Sequence, residues 1–324
     1  MAAPGDIDAV VFERRAGRLR VRGVELALDP PHPAPVAVIT HAHADHVAAH
    51  GRAIVTAETA AVLRARGYDG ALDVVALHAP LAVGDATVEL LPAGHAPGAA
   101  LVRVTRAGCV GVYTGDLGRA ADPWLGAPAA VECDELVVDG TGGAAHRRFP
   151  PIADALAQLM AAVVDALRAA ATPVIFADAF GRAQRVALAL RGRGFDVRAT
   201  PAVHRVHRAL APWWPALGEV GLLARTLPEG SVVQMARGAM FAKTRTFVRQ
   251  VRIACAGATG GLAEALPVDV VVPLVDHGEH AETVAWVEAT GARRVFVMPP
   301  HAAALADAVR TPTRHAEPFA PEAT

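Results

Sequence analysis

The stretch Ile39-Thr40-His41-Ala42-His43-Ala44-Asp45-His46 decides how the rest of the chain is read. It continues an apolar run at 36–39, a candidate strand, so His41, His43, Asp45 and His46 stand together at a strand end. Three imidazoles and a carboxylate buried side by side would each need a polar partner. A metal ion supplies that partner to all of them, and neutral imidazole with carboxylate suits zinc, manganese or iron, with zinc the default. A solvated histidine-rich loop is the plain alternative.

Two further candidates stand downstream. His95 sits in Ala93-Gly94-His95-Ala96-Pro97-Gly98, where the glycines let the backbone turn sharply and aim the ring inward. Asp116 closes Tyr113-Thr114-Gly115-Asp116, again after an apolar run. Working outward, the first 145 residues read as short strands (9–12, 19–21, 24–28, 36–39, 73–77, 87–92, 100–105, 110–113, 135–138) around one helix at 56–66, opened by Thr56 and closed by Gly67. From Pro151 the texture becomes strand–helix alternation: helix 152–169, strand 174–177, helix 182–191, strand 195–198, then strand 268–274, helix 279–289 and strand 294–298. That alternation predicts an α/β unit. The stretch beyond Arg310, with Pro312, Pro318 and Pro321, reads as a frayed tail.

The 324 residues are 53% hydrophobic and 19% charged, with a formal net charge of −1, which argues against disorder and leaves ample room for a core. Every long apolar stretch is broken by charge, so no membrane span is expected. Asp6, Asp8 and Glu13 do not fit a signal peptide, and Cys109, Cys133 and Cys255 are too few for a disulfide framework, so a cytoplasmic protein is expected. The charge is segregated: −6 over 1–145, +8 over 146–269 and −3 over 270–324. From Arg182 to Arg208 seven arginines face the single aspartate Asp196; between Glu229 and Glu264 stand only basic charges, Arg237, Lys243, Arg245, Arg249 and Arg252. Arginine forks suit phosphate, so the block reads as a clamp for nucleic acid, with Phe180, Phe195, Trp213, Trp214, Phe241 and Phe247 interspersed.

The ordered set HAHADH, GH in a glycine-rich turn, then TGD resembles the signature of the metallo-β-lactamase fold hydrolases. VVDGTGG at 137–143, FADAFGRAQRV at 176–186 and VDHGEH at 275–280 are similar to motifs of the β-CASP nuclease branch, most of all the bacterial ligase-associated DNA exonucleases. The resemblance covers roughly residues 15–310. It implies an α/β fold, a four-layer αββα sandwich (1–145 and 270–310) with a smaller β-CASP-like α/β domain inserted at 146–269, and a flexible tail at 311–324.

The resemblance also implies a site with two divalent ions, zinc first and manganese second. His41, His43 and His95 would hold one, Asp45 and His46 the other, and Asp116 would bridge. Asp45 joins Asp139 and His277 in the implied catalytic set, Asp139 and His277 forming the acid–base pair that protonates a leaving 3′-oxygen. Arg182 and Gln184 would contact substrate phosphate, or simply cap their helix. The family's last metal histidine aligns here with Pro299; His301, two residues later, is the candidate replacement, and His280 competes with His277 for the acid role. The implied activity is a metal-dependent DNA exonuclease working beside an ATP-dependent DNA ligase and a helicase. RNA processing by the same chemistry, a small-molecule hydrolase and a non-catalytic nucleic-acid-binding scaffold are the alternatives.

Overall fold

The computed structural model describes residues 11–15, 18–236, 249–257 and 268–319. The chain divides into two compact units, Met1–Arg148 with His277–Thr324, and Phe149–Asp276. Both are mixed α/β, with six α-helices among the described residues.

The first unit is built on two sheets. One has the order β1 (Phe12–Arg15), β2 (Arg18–Val21), β3 (Ala27–Leu28), β4 (Val36–Val38), β5 (Arg52–Val55) and β6 (Ala71–Val74). The other runs β19 (His315–Pro318), β18 (Arg294–Pro300), β11 (Glu135–Gly140), β10 (Cys109–Tyr113), β9 (Ala100–Arg106), β8 (Ala86–Pro92) and β7 (Leu81–Val83). Alternate residues of each meet in one core: Val21, Leu28, Val38 and Ile54 from the first sheet, Leu90, Val102, Tyr113 and Val137 from the second. The period-two pattern sends their neighbours Val112, Leu136 and Val138 to the opposite face. There they pack against Val287 of α5 (His280–Ala289) and Leu305 and Val309 of α6 (Ala302–Val309). Helix α1 (Ala57–Ala65) starts where Thr56 Oγ1 accepts from the Thr59 amide at 3.3 Å.

The second unit holds one sheet of order β14 (Gly221–Leu222), β13 (Val197–Ala199), β15 (Val232–Ala236), β12 (Thr172–Ala177), β16 (Gln250–Ala256) and β17 (Val270–Pro273), parallel throughout. Parallel strands are apolar on both faces. Ile175 and Ala177 pack with α2 (Ile152–Arg168) and α3 (Arg182–Arg191), while Val174 and Phe176 join a separate cluster with Val233 and Met235. Helix α4 (Pro201–Leu210) buries Val203, Val206 and Leu210; its proline in the first turn after Thr200 is the sequence signal that marks its start.

Two expectations change. The second unit extends to Asp276, so the strand expected to open the return, β17, belongs to the second unit's sheet, paired with β16. The expected tail is not all tail: β19 pairs in parallel with β18, Ala316 is fully buried, and Arg310 donates to the Ala316 carbonyl at 2.7 Å. Arg237, Lys243, Arg245, Phe241, Phe247 and Glu264 lie outside the described residues. Among the described residues no helix is long and apolar enough to cross a membrane.

Candidate metal centre

The first sheet delivers the histidine cluster. β3 and β4 pair in parallel, with Leu28 opposite Val38, so the residues that follow each strand, Asp29 and Ile39-Thr40-His41, emerge side by side. Asp29 takes φ 39° and turns its buried carboxylate onto that loop. Its Oδ1 accepts from the Thr40 amide at 2.8 Å; its Oδ2 accepts from Thr40 Oγ1 at 2.6 Å and Tyr113 Oη at 3.0 Å, and lies 2.8 Å from His46 Nδ1. The Thr40 hydroxyl, having given its proton to Asp29, can only accept from His41 Nδ1 at 3.1 Å. Hydrogen-bond logic therefore assigns protons to Nδ1 of His41 and His46 and turns both Nε2 atoms the other way.

Both Nε2 atoms converge on Asp116. His41 Nε2 is 3.3 Å and His95 Nε2 3.2 Å from Oδ2, while His46 Nε2 is 3.2 Å from Oδ1. His43 turns Nδ1 inward, 2.9 Å from His41 Nε2 and 3.2 Å from His95 Nε2. His41, His43, His95 and Asp116 each offer a ligand atom within 4.8 Å of the others, so the group could hold a metal ion. Two glycines make the convergence possible. Gly115 adopts φ +52° and a Cβ there would stand 2.5 Å from Thr40 Oγ1; a Cβ on Gly118 would come within 2.1 Å of the Gly94 carbonyl carbon, beside His95.

Burial, and then the neighbouring His46, hold the His41 pKa well below its ordinary value, which keeps the ring neutral. Burial opposes charge on Asp116 too, but His46, His41, His277 and His95 outweigh it and hold the carboxyl well below the usual range. For His46 burial is likewise outweighed, by Asp29 and Asp116, and its pKa stands well above the ordinary value.

A second grouping adjoins the first. Asp139 is the last residue but one of β11; its Oδ2 accepts from the Leu117 amide at 3.2 Å, its Oδ1 from the Thr141 amide at 2.8 Å, and Oδ2 lies 2.9 Å from His277 Nδ1. The opposite nitrogen, His277 Nε2, is 3.8 Å from Asp116 Oδ2. Asp116, Asp139 and His277 also qualify as a group able to hold a metal.

The structure brings His41, His43, His46, His95, Asp116, Asp139 and His277 together. It leaves the other expected site residues apart. Asp45, on the outer side of a 3₁₀ turn at Ala44–His46, has an 81% exposed side chain with Oδ2 3.8 Å from His46 Nε2. His301 joins none of the ligand groups among the described residues; it stands at the start of α6, where a Cβ on Gly143 would meet its carbonyl oxygen at 2.4 Å. His280 places Nδ1 3.1 Å from the Gly142 carbonyl. For Arg182 and Gln184 the sequence left phosphate contact and helix capping open, and the structure turns both side chains inward. Arg182 is buried and donates Nε to the Leu274 carbonyl at 2.9 Å and Nη2 to Asp276 at 2.6 Å, with Asp178 on Nη1. Gln184 is fully buried, accepting from the Gly181 amide and donating to the Ala179 carbonyl. Arg182 binds the protein's own carboxylates and a carbonyl, and Gln184 makes the capping bond that opens α3. Asp29 is a residue that sequence reasoning missed; a lone aspartate before Pro30-Pro31 carries no signal of its own.

No family model matches the chain. A relative from Opitutus terrae (strain DSM 11246 / JCM 15787 / PB90-1), named a probable DNA ligase, is 27% identical over 299 residues. That match covers 87% of this chain and 28% of the relative, so the chain spans under a third of the relative's length. In fold, the chain is similar to the crystal structure of a protein of unknown function from Enterococcus faecalis V583, with a TM-score of 0.61 at 15% identity over 89% of this chain and 79% of that one.

Proposed function

We propose that this chain is a metal-dependent phosphodiesterase acting on DNA, with the metallo-β-lactamase αββα fold and an inserted β-CASP-like domain, most like the ligase-associated DNA exonucleases. The observation that carries the reading is the Asp116 carboxylate, approached by His41 and His95 on one oxygen and by His46 on the other. The donor set fits divalent ions. Ring nitrogens of His41 and His43 stand 2.9 Å apart and those of His43 and His95 3.2 Å apart, a convergence of lone pairs that a cation satisfies and protons alone satisfy poorly. His41, His43 and His95 would hold one ion, His46 with the exposed Asp45 the other, and Asp116 would be shared. Zinc or manganese there would supply Lewis-acid stabilisation of charge on a phosphoryl oxygen and an acidified water.

The chain's own residues supply the rest. Asp139, held by two backbone amides, fixes the His277 ring through Nδ1, which leaves Nε2 on the side of Asp116. A proton on Nε2 is delivered to the departing oxygen of a cleaved phosphodiester, and the imidazole returns to its neutral, Asp139-bound form. Phosphate contacts come from exposed arginines of the second unit. Arg198 is paired with Asp196 and Arg252 with Asp269, whereas Arg205 and Arg208 on α4 have no ion-pair partner among the described residues. The relative's name supports DNA as the substrate class, and its greater length supports association with a ligase.

The test is cleavage of end-labelled single-stranded DNA and matched RNA by protein loaded with zinc or manganese, beside Asp116→Ala. We expect DNA cleavage that chelation abolishes and that Asp116→Ala lacks together with its bound metal. Bound metal without phosphodiester cleavage, or preference for the ribo-strand, overturns the reading.

A further inference from the structure

The geometry points to Arg119 as the positioning residue for His277, an inference that rests on the phosphodiesterase reading above. Arg119 lies three residues beyond Asp116 and is buried. Its Nε donates to Glu282 Oε2 at 2.8 Å and its Nη2 lies 3.6 Å from Glu279 Oε1. These two glutamates are the first turn of α5. Glu279 is its N-cap and Glu282 its third residue, and Glu282 Oε2 also accepts from the Glu279 amide at 2.8 Å. One carboxylate oxygen therefore takes both the helix's own capping bond and the arginine, so Arg119 sets where the helix begins.

His277 is two residues before that N-cap. Between them, Gly278 donates its amide to the Leu117 carbonyl at 2.9 Å, and a Cβ on Gly278 would stand 3.1 Å from the Gly118 carbonyl oxygen. On the other side of the same loop, the Leu117 amide donates to Asp139, the residue that holds the His277 ring. The segment Asp116–Arg119 thus carries the shared carboxylate at one end, fixes Asp139 and Gly278 in the middle, and grips α5 at the other end. Without Arg119 the Glu282 carboxylate that caps α5 loses its bound guanidinium, the first turn of α5 shifts, and His277 loses its set distance to Asp116. The contacts of Arg119 are with the glutamates that open α5. Its part is to hold His277 Nε2 where a proton is needed.

The experiment uses the full chain loaded with zinc, in the variants Arg119→Gln, Arg119→Lys and Glu282→Gln. Steady-state cleavage of end-labelled single-stranded DNA is read beside metal content. Long-range proton–nitrogen correlation spectra of histidine-labelled protein are also read, with the His277 ring assigned by its loss in His277→Gln. We expect Arg119→Gln to lower kcat by about tenfold to a hundredfold, the range for residues that orient a functional histidine, with KM and metal content unchanged. The His277 ring should change from one tautomer, protonated at Nδ1, to an average of two. Arg119→Lys, which restores the charge, should recover most of kcat and the single-tautomer pattern. An unchanged kcat, or an unchanged His277 pattern beside a kcat loss that lysine does not repair, overturns the inference. Should Arg119→Gln not fold, Glu282→Gln must move kcat and the ring pattern in the same direction, and an unmoved pattern there overturns it as well. Failure of the metal-loaded wild type to cleave DNA sinks the phosphodiesterase reading instead, and the ring spectra still decide whether Arg119 sets His277.

Discussion

Each unit buries a cluster of charged and polar side chains, and the two clusters are built on opposite principles. In the second unit Arg182 meets Asp178, Asp276 and the Leu274 carbonyl, so each donor faces an acceptor. In the first unit His41, His43, His46, His95 and His277 crowd around Asp116, with ring nitrogens aimed at each other as well as at the carboxylate. A cluster that satisfies itself is a structural joint. A cluster with surplus lone pairs is a place for a cation. Sequence alone marked the first cluster as a ligand site and left Arg182 and Gln184, in a Gly-Arg-Ala-Gln turn, between contacting phosphate and capping their helix.

The comparison breaks most readily at the self-satisfied joint. Arg182→Ala takes the guanidinium away from the buried Asp276 and the half-buried Asp178, and we expect a loss of about 3–5 kcal/mol in urea unfolding with metal uptake unchanged. Loss of metal with little loss of stability would reverse the roles of the two clusters. Asp29→Asn sharpens the other side. It weakens the acceptor that fixes the proton on His46 Nδ1 and, through Thr40, on His41 Nδ1. Metal affinity should fall by about 10–100-fold in competition with a chromophoric chelator, while the urea midpoint moves far less than in Arg182→Ala.

The smallest effect concerns a single imidazole of the second unit. His207 is buried with Nε2 3.0 Å from the Gly218 carbonyl and Nδ1 unpartnered. Burial holds its pKa below the ordinary 6.5, with only partial relief from the Gly218 carbonyl. The unfolded chain therefore binds the proton first on acidification. This contribution to stability is complete above pH 6.5 and is lost as pH falls from there toward the folded value. The slope from one such group is at most about 1.4 kcal/mol per pH unit, and His207→Gln should flatten the wild-type decline by that amount or less. An identical pH profile in the variant would show that the ring accepts a proton in place.

Local pattern reveals a residue whose function depends on its immediate neighbours in the chain. The cluster at 41–46 announces itself by density, and His95 and Asp116 by glycines beside a strand end. Helix α3 spans Arg182–Arg191, as its apolar spacing and the glycines at either end predict. Asp29 and Arg119 announce nothing, since a lone acid before two prolines and a lone arginine in a loop are ordinary surface residues in most chains. Asp29 matters because β3 pairs with β4, and Arg119 because α5 returns to the Asp116 loop from more than a hundred and fifty residues away in sequence, as its 163-residue separation from Glu282 records. His301 shows the converse: its residue type suits a ligand, yet it stands at the head of α6 and joins none of the ligand groups among the described residues.

By itself, then, the order of residues determined which chemical groups are available: imidazoles and a carboxylate at strand ends, a basic segment between two acidic ones, and an alternation that makes the middle α/β. Tertiary structure decided which of them act together. Identity and local conformation are properties of a few consecutive residues, whereas a shared carboxylate needs atoms from separate strands within hydrogen-bond range. Only the face-to-face packing of two sheets and the return of α5 bring His41, His95, Asp116, Asp139 and His277 that close.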